Sequence, residues 1–305
     1  MAEKLSYLIH NDHPMSSVPL YDGLAGLASR YDGFICDLWG VLHDGVEALP
    51  GAVDCLQHLR TAGKKVAILS NAPRRAASVS AAAARLGIRP ELHNGVVSSG
   101  EAAWQHLKHR PDAWYKQLGH RCYHIGPDRD HGMRDGLAYD FVDDVAAAEF
   151  LLNTGAHLAK DKPETYDEVL KGGVGRNLPM ICANPDLEVI RGGKREICAG
   201  ALALRYEDLG GEVRYHGKPH AEIYEACFVA LEGVAKDRIL AVGDSLRTDI
   251  AGAQAAGVDS LFIASGIHAE SLDLHGSDAG DADLLNALFD ARETAPTAAM
   301  RHFVW

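Results

Sequence analysis

No run in the 305-residue chain approaches the 18 or so consecutive apolar residues that cross a bilayer. A membrane-spanning helix is therefore not expected, and a membrane is not an expected partner. The opening MAEKLSYLIHNDHPMSS also lacks the long apolar stretch of a signal peptide, which makes the expected location cytoplasmic. Basic clusters are missing too. The pairs RR at 74–75 and GGKR at 192–195 are too short to hold a polyanion against a formal net charge of -12, so nucleic acid is excluded as a partner. The six cysteines, at 36, 55, 122, 182, 198 and 227, show no CxxC spacing, and four of them (36, 122, 182, 198) lie in or beside apolar runs. They are expected to be buried, reduced thiols, with nothing to support a cysteine metal site. No GxGxxG follows the first apolar strand, which removes the main support for a dinucleotide-dependent oxidoreductase. Repeats and low-complexity tracts are lacking apart from an Ala-rich segment near 76–84.

What is present is a globular composition, 47% hydrophobic and 24% charged, with ample core. Strand-like runs alternate with helical patterns. GFICDL (33–38), KKVAILSNAP (64–73), GVVSSG (95–100) and RILAVGD (238–244) read as buried strands. PGAVDCLQHLRTAG, RRAASVSAAAARLGI and EAAWQHLKH read as the helices between them. The expected fold class is α/β, a Rossmann-like parallel-sheet core with helices on both faces. Between the two blocks the rhythm changes. PDAWYKQLGH (111–120) reads as a linker into further short strands in RCYHIG, YDFVDD, AEFLLNTG and PMICANPD. A smaller α/β module at 112–211, inserted into a discontinuous core of 1–111 and 212–305, fits this pattern. A last helical pattern, DADLLNALFDAR, precedes a tail of no clear structure.

Ligands of open parallel sheets bind beyond the carboxyl ends of the strands. There the sequence places Asp37, then Ser70-Asn71 just ahead of a helix that Pro73 helps to start, then Lys218 in YHGKPH, then Asp244 with Asp249 five residues on. Each has an ordinary alternative as a turn, cap or surface residue. Together they suit phosphate transfer. Asp37 and Asp244 could share a hard cation such as Mg²⁺, which would let a carboxylate attack a phosphate. Ser70 and amides at the helix start could hold phosphate oxygens. Lys218 supplies positive charge, and Asp249 could orient a metal-bound water.

This series resembles the haloacid dehalogenase-like hydrolase superfamily, through ICDLWGVLHDG, AILSNAPR, GKPH and VGDSLRTDI over roughly residues 30–266. SNAPRR, GKP and GDSLRTDIAGAQAAG are most similar to class IIA, the branch of nitrophenyl, sugar-phosphate and pyridoxal phosphate phosphatases. The resemblance implies that the inserted module is a cap, through which copies of the chain would associate. It also implies a phosphoaspartate on Asp37, and a metal held by Asp37, the Trp39 backbone carbonyl and Asp244, with Asp249 beside them. The substrate would be a small phosphorylated metabolite. In such relatives the loop equivalent to CANPDLEVIRGG (182–193) faces the active site, which makes Asn184 and Asp186 substrate-binding candidates, although an ordinary Asn-Pro-Asp turn fits as well. Asn71 and Arg74 are further candidates; Arg74 alternatively lies on the helix surface.

One residue departs from the pattern. Phosphatases of the superfamily carry a second Asp two positions after the nucleophile, where this chain has Trp39. An indole is neither a useful acid nor a base, and positioned acid–base groups are worth about 10²–10⁴-fold. Three readings stay open. His43 or Asp44 substitutes, or the substrate has a good leaving group, or the protein binds phosphate compounds with little turnover. Trp39 itself reads as a packing residue or as a stacking platform.

Overall fold

The structure is a computed structural model that describes residues 17–272 and 278–305. The signal-peptide reading of the first residues falls outside the described region, apart from Ser17. In chain order the strands are β1 Leu20–Tyr21, β2 Gly33–Asp37, β3 Lys65–Ser70, β4 Gly95–Ser98, β5 Arg121–Ile125, β6 Asp140–Val142, β7 Phe150–Asn153, β8 Met180–Cys182, β9 Glu188–Arg191, β10 Lys194–Ile197, β11 Val213–Tyr215, β12 Ile239–Gly243, β13 Asp259–Ile263 and β14 Ala298–Met300.

The alternation of side chains along β2 shows how the larger sheet is built. Phe34 and Cys36 point into one apolar layer, with Val66, Ile68, Leu240 and Val242 from neighbouring strands and Leu56 and Leu59 from the helix Ala52–Thr61. Ile35 points the other way, with Ala67, Leu69 and Ala241, against Ile223, Tyr224 and Cys227 of the helix Glu222–Ala230. A strand buried on both faces has no polar alternation to show, which is why these segments are continuous apolar runs. The sheet runs β1-β14-β13-β12-β2-β3-β4 and is parallel throughout. This is the Rossmann-like α/β architecture expected from the sequence. It brings the carboxyl ends of β2, β3 and β12 side by side at the centre of the sheet.

Between β4 and β12 the chain builds a second parallel sheet, β11-β8-β7-β5-β6, and an antiparallel hairpin, β9–β10. One face of this smaller sheet packs Leu151 and Met180 against Leu202 and Tyr206 of the helix Ala199–Asp208. The other packs Phe150, Leu152 and Ile181 against Ala103, Trp104 and Leu107 of the helix Ser99–His109, which is continuous in sequence with β4. Ala102 of this helix packs against the Ile35 layer of the larger sheet, so the helix lies between the two sheets.

Several local readings change. The linker read at 111–120 contains a helix, Ala113–Gln117, started by Asp112 accepting from the Tyr115 amide. Strand β11 belongs to the smaller sheet and so runs past residue 211. The tail read as unstructured contributes β14, parallel to β13. It is three residues long and reads simply as Ala-Ala-Met, too short to carry a periodic signal. All six cysteines are buried and free. Among the described residues no helix is long and apolar enough to cross a membrane.

Candidate active site

Asp37 ends β2, and the chain turns at Gly40 with φ +80. Only glycine serves there, because a Cβ would lie 2.1 Å from Asp244 Oδ2. Asp244 follows β12, and its Oδ2 accepts the Ile267 amide at 2.7 Å. Past it, the Ser245 hydroxyl accepts the Thr248 amide at 3.3 Å and opens one wide turn, Leu246–Ile250, which carries Asp249. Asp249 Oδ2 accepts the Ser245 amide at 3.0 Å, which fixes that carboxylate. Lys218 arrives from the loop between β11 and the helix Glu222–Ala230. Its ammonium donates to Asp37 Oδ1 and to Asp249 Oδ1, each at 2.6 Å.

Asn71 aims Lys218. It accepts the Lys218 amide at 2.8 Å on Oδ1 and donates to the Lys218 carbonyl at 3.1 Å, as a neighbouring strand would. The same amide nitrogen donates to Asp186 Oδ1 at 2.9 Å, tying the smaller sheet's loop to the larger. We expect Asn71→Ala to destabilise the protein by about 2–4 kcal/mol, since it leaves buried partners unpaired. A urea denaturation midpoint unchanged from the parent protein would show that the loop holds itself.

Asp37, Asp244 and Asp249 are buried, and one carboxylate oxygen from each lies within 4.8 Å of the others. Burial, with the two neighbouring acids, pushes the Asp37 carboxyl well above the usual range although Lys218 opposes it. Burial and Asp249 push Asp244 up to about 7. Three buried acids against one lysine leave unbalanced negative charge. A hard divalent cation among oxygen donors relieves that imbalance, so the residues fit Mg²⁺.

Above this cluster lies a cavity of about 820 Å³, lined among others by Asp37, Trp39, Asp44, Ser70, Asn71, Arg74, Asn184, Asp186, Lys218, Asp244 and Asp249. Every site residue expected from the sequence is thus brought to one place. Details differ at three points. The Ser70 hydroxyl accepts the Ala72 amide at 3.2 Å, closing a local turn. The following helix begins only at Ala76, and its first amide is taken by Glu101 Oε2 at 3.2 Å, so that helix start is not free for phosphate. Asn184 Oδ1 accepts the Asp186 amide at 2.9 Å, the Asn-Pro-Asp turn read as the alternative, while the residue still lines the cavity.

Trp39 is held by partners the sequence does not reveal. Its indole N–H donates to the Ile190 carbonyl of β9 at 2.8 Å, and the Arg191 guanidinium lies 4.6 Å over its ring. Gly45, with φ +86, makes room, since a Cβ there would lie 2.3 Å from Trp39 Cη2. The side chain pins the hairpin β9–β10 to the loop after Asp37. Neither substitute acid is well placed. His43 is buried, does not line the cavity, and accepts the Gly45 amide on Nδ1 at 3.0 Å; burial lowers its pKa to about 4. Asp44 lines the cavity, but its Oδ1 is occupied by the Val46 and Glu47 amides at 2.8 and 2.9 Å. Sequence reasoning also passed over Arg129, Asp130 and Thr154 on the cavity wall. They sit far from any recognised motif, Arg129 and Asp130 in the short 3-10 helix Asp128–Met133 after β5 and Thr154 just after β7, so their position depends on the smaller sheet.

Comparison with known proteins places this arrangement. Residues 34–137 match the family model described as haloacid dehalogenase-like hydrolase, and residues 215–291 match a second, described as HAD-hydrolase-like. A hydrolase of the haloacid dehalogenase-like family from Brucella suis 1330 has a crystal structure similar at a TM-score of 0.79. It is 35% identical, over 93% of this chain and 100% of that one. Ribonucleotide monophosphatase NagD of Escherichia coli (strain K12) is 25% identical, over 76% of this chain and 87% of that protein. The 4-nitrophenylphosphatase of Schizosaccharomyces pombe is 26% identical, over 79% of this chain and 86% of its own. The chain belongs to the haloacid dehalogenase-like hydrolase family.

Proposed function

We propose that the protein is a Mg²⁺-dependent phosphatase of small phosphorylated metabolites, with the inserted module that carries the smaller sheet as its cap and Asp37 as nucleophile. The observation that carries this reading is the cluster at the cavity floor, where Lys218 bridges Asp37 and Asp249 at 2.6 Å with Asp244 beside them. Relatives named as phosphatases support it. Asp37, Asp244 and the Trp39 carbonyl would hold the metal, with Asp249 completing the set. When bound, the cation offsets the repulsion between carboxylate and phosphate.

Lys218 takes Asp37 Oδ1, and no described residue hydrogen-bonds Oδ2. An Asp37 oxygen attacks phosphorus, the bond from phosphorus to the leaving oxygen breaks, and the leaving group departs with the electron pair. Water then attacks the same phosphorus and the aspartyl bond breaks, which gives inorganic phosphate and restores Asp37. With Trp39 in the acid–base position, the leaving group departs without a donated proton. The protein therefore favours aryl, enol or acyl phosphates. The poor placement of His43 and Asp44 favours a second reading, a phosphometabolite-binding protein with little turnover. Release of nitrophenol or phosphate by purified protein in millimolar Mg²⁺, lost on chelation, supports the first. Binding without release across a panel of phosphorylated metabolites overturns it in favour of the second.

Metal binding has its own check. In Gly266→Ala a Cβ would lie 2.0 Å from Asp244 Oδ2 and displace that carboxylate. We expect Mg²⁺ affinity, measured by calorimetry, to fall at least about tenfold. An unchanged affinity would remove Asp244 from the metal's ligands.

A further inference from the structure

The cluster at the cavity floor leaves the cavity wall unexplained. Asp130, in the short 3-10 helix after β5, is 2% exposed, and its Oδ1 has no hydrogen-bond partner among the described residues. An unpaired buried acceptor is costly, and the surroundings hold this one in place. Arg134 Nε donates to His124 Nδ1 at 3.0 Å, which puts the His124 proton on Nε2, 2.9 Å from Thr154 Oγ1. The Thr154 hydroxyl proton, which has only a long bond of 3.4 Å to the Ile125 carbonyl, can then turn toward Asp130. Burial lifts the Asp130 carboxyl to about 6, while Arg129, Arg74 and a hydrogen bond from Thr154 pull it down. Gly126 leaves the space this needs, as a Cβ there would lie 1.9 Å from Thr154 Oγ1.

Arg74 faces Asp130 from the loop after β3. Its backbone is fixed by the Ser98 hydroxyl, which donates to the Arg74 carbonyl at 2.7 Å, and its Nε stands 4.0 Å from Asp130 Oδ1, beyond hydrogen-bond reach. Arg129 has no hydrogen bond or ion pair with any described residue. By contrast, Arg191 is occupied by Glu196 at 3.3 Å, and Arg247 by the Pro185 carbonyl. Arg74, Arg129, Asp130 and Thr154 all line the cavity that has Asp37 and Lys218 at its floor.

We propose that this wall is a subsite for a carboxylate-bearing leaving group. Arg74 and Arg129 take the carboxylate, and Asp130 Oδ1 accepts a hydrogen bond from an adjoining hydroxyl or amino group. Two guanidinium groups suit a planar anion, and a buried acceptor between them needs a donor from the ligand. A neutral or apolar group would leave Asp130 Oδ1 without a hydrogen bond and Arg129 without a partner among the described residues, and Arg74 with only its long ion pair to Asp130. Resting on the phosphatase reading, this narrows the substrate to the phosphate of a small hydroxy or amino acid, carried on an aryl, enol or acyl oxygen.

Non-hydrolysable probes separate binding from turnover. Calorimetry in millimolar Mg²⁺ would compare (4-carboxybenzyl)phosphonate, its methyl ester, and the acid bearing a hydroxyl beside the carboxylate. We expect the acid to bind about tenfold more tightly than the ester, with that preference lost in Arg74→Gln/Arg129→Gln. The hydroxyl should add a further several-fold, lost in Asp130→Ala while the preference for the acid stays. Asp130→Ala should change the melting temperature little, since its Oδ1 makes no hydrogen bond among the described residues and its Arg74 partner stands 4.0 Å away. Equal affinity for acid and ester in the parent protein overturns the subsite, and hydrolysis of 4-nitrophenyl phosphate would then still uphold the phosphatase. Acid-selective binding in a protein that hydrolyses no phosphate supports the subsite and overturns the phosphatase.

Discussion

Asp37→Asn is expected to lower phosphatase turnover by at least about 10⁴-fold, because an amide oxygen forms no aspartyl phosphate under these conditions. The substitution keeps the shape of the side chain. The Lys218 ammonium retains Asp249 at 2.6 Å, so the folded state should survive with an unchanged circular dichroism spectrum. Rates on 4-nitrophenyl phosphate in millimolar Mg²⁺ provide the check. Turnover within about tenfold of the parent would exclude Asp37 as the nucleophile, since a nucleophile's removal costs far more.

The second large effect follows from Trp39. A nitrophenolate departs without help, whereas an alkoxide needs a proton that neither Trp39 nor buried His43 supplies. Aryl phosphates should therefore react about 10²–10⁴-fold faster than alkyl phosphates, the range that a positioned acid normally contributes. The water that opens the aspartyl phosphate lacks a base as well. A burst of nitrophenol, approaching one equivalent per site, should precede slow steady turnover. Trp39→Asp should raise the ratio of alkyl to aryl rates about 10–100-fold, less than a fully placed acid gives. It should also raise KM, because the hydrogen bond to the Ile190 carbonyl and the contact with Arg191 are lost together. Equal rates on both substrate types, with no burst, would mean that another group already delivers the proton. Asp44, which lines the cavity, would be the first to replace.

Trp39 also marks where sequence and structure part. Asp37, Ser70, Lys218 and Asp244 could be read as a site without coordinates because each ends a strand or begins the next loop. In a parallel sheet, strand ends converge whatever the loops do. The buried strands are equally legible, since a strand covered on both faces must be apolar along its whole length, as GFICD and ILAVG are. Strand β9 lies inside the segment 182–193 that reads as a loop, and β10 follows it directly. The Lys-Arg-Glu-Ile strand of the hairpin has two exposed residues, and the hairpin is tied to the core by an indole 151 positions from Ile190 and by Arg195 donating to Glu270 at 2.9 Å. Asn71 is adjacent to a motif, yet its task of gripping Lys218 and Asp186 depends on contacts 147 and 115 residues distant.

By itself the sequence determined the α/β class, the acids and lysine of the floor, and the absence of a second Asp at position 39. These follow from local periodicity and from residue identity at strand ends. Only the tertiary structure decided that Trp39 pins the hairpin to the core, that His43 is spent on a turn, and that Asp130 Oδ1, 4.0 Å from Arg74, lacks a hydrogen bond among the described residues. The first and third of these arise from contacts between segments far apart in the chain, and the second from the burial and turn geometry around His43. The long-range contacts are fixed by the packing of whole apolar faces, and no spacing along the chain encodes them.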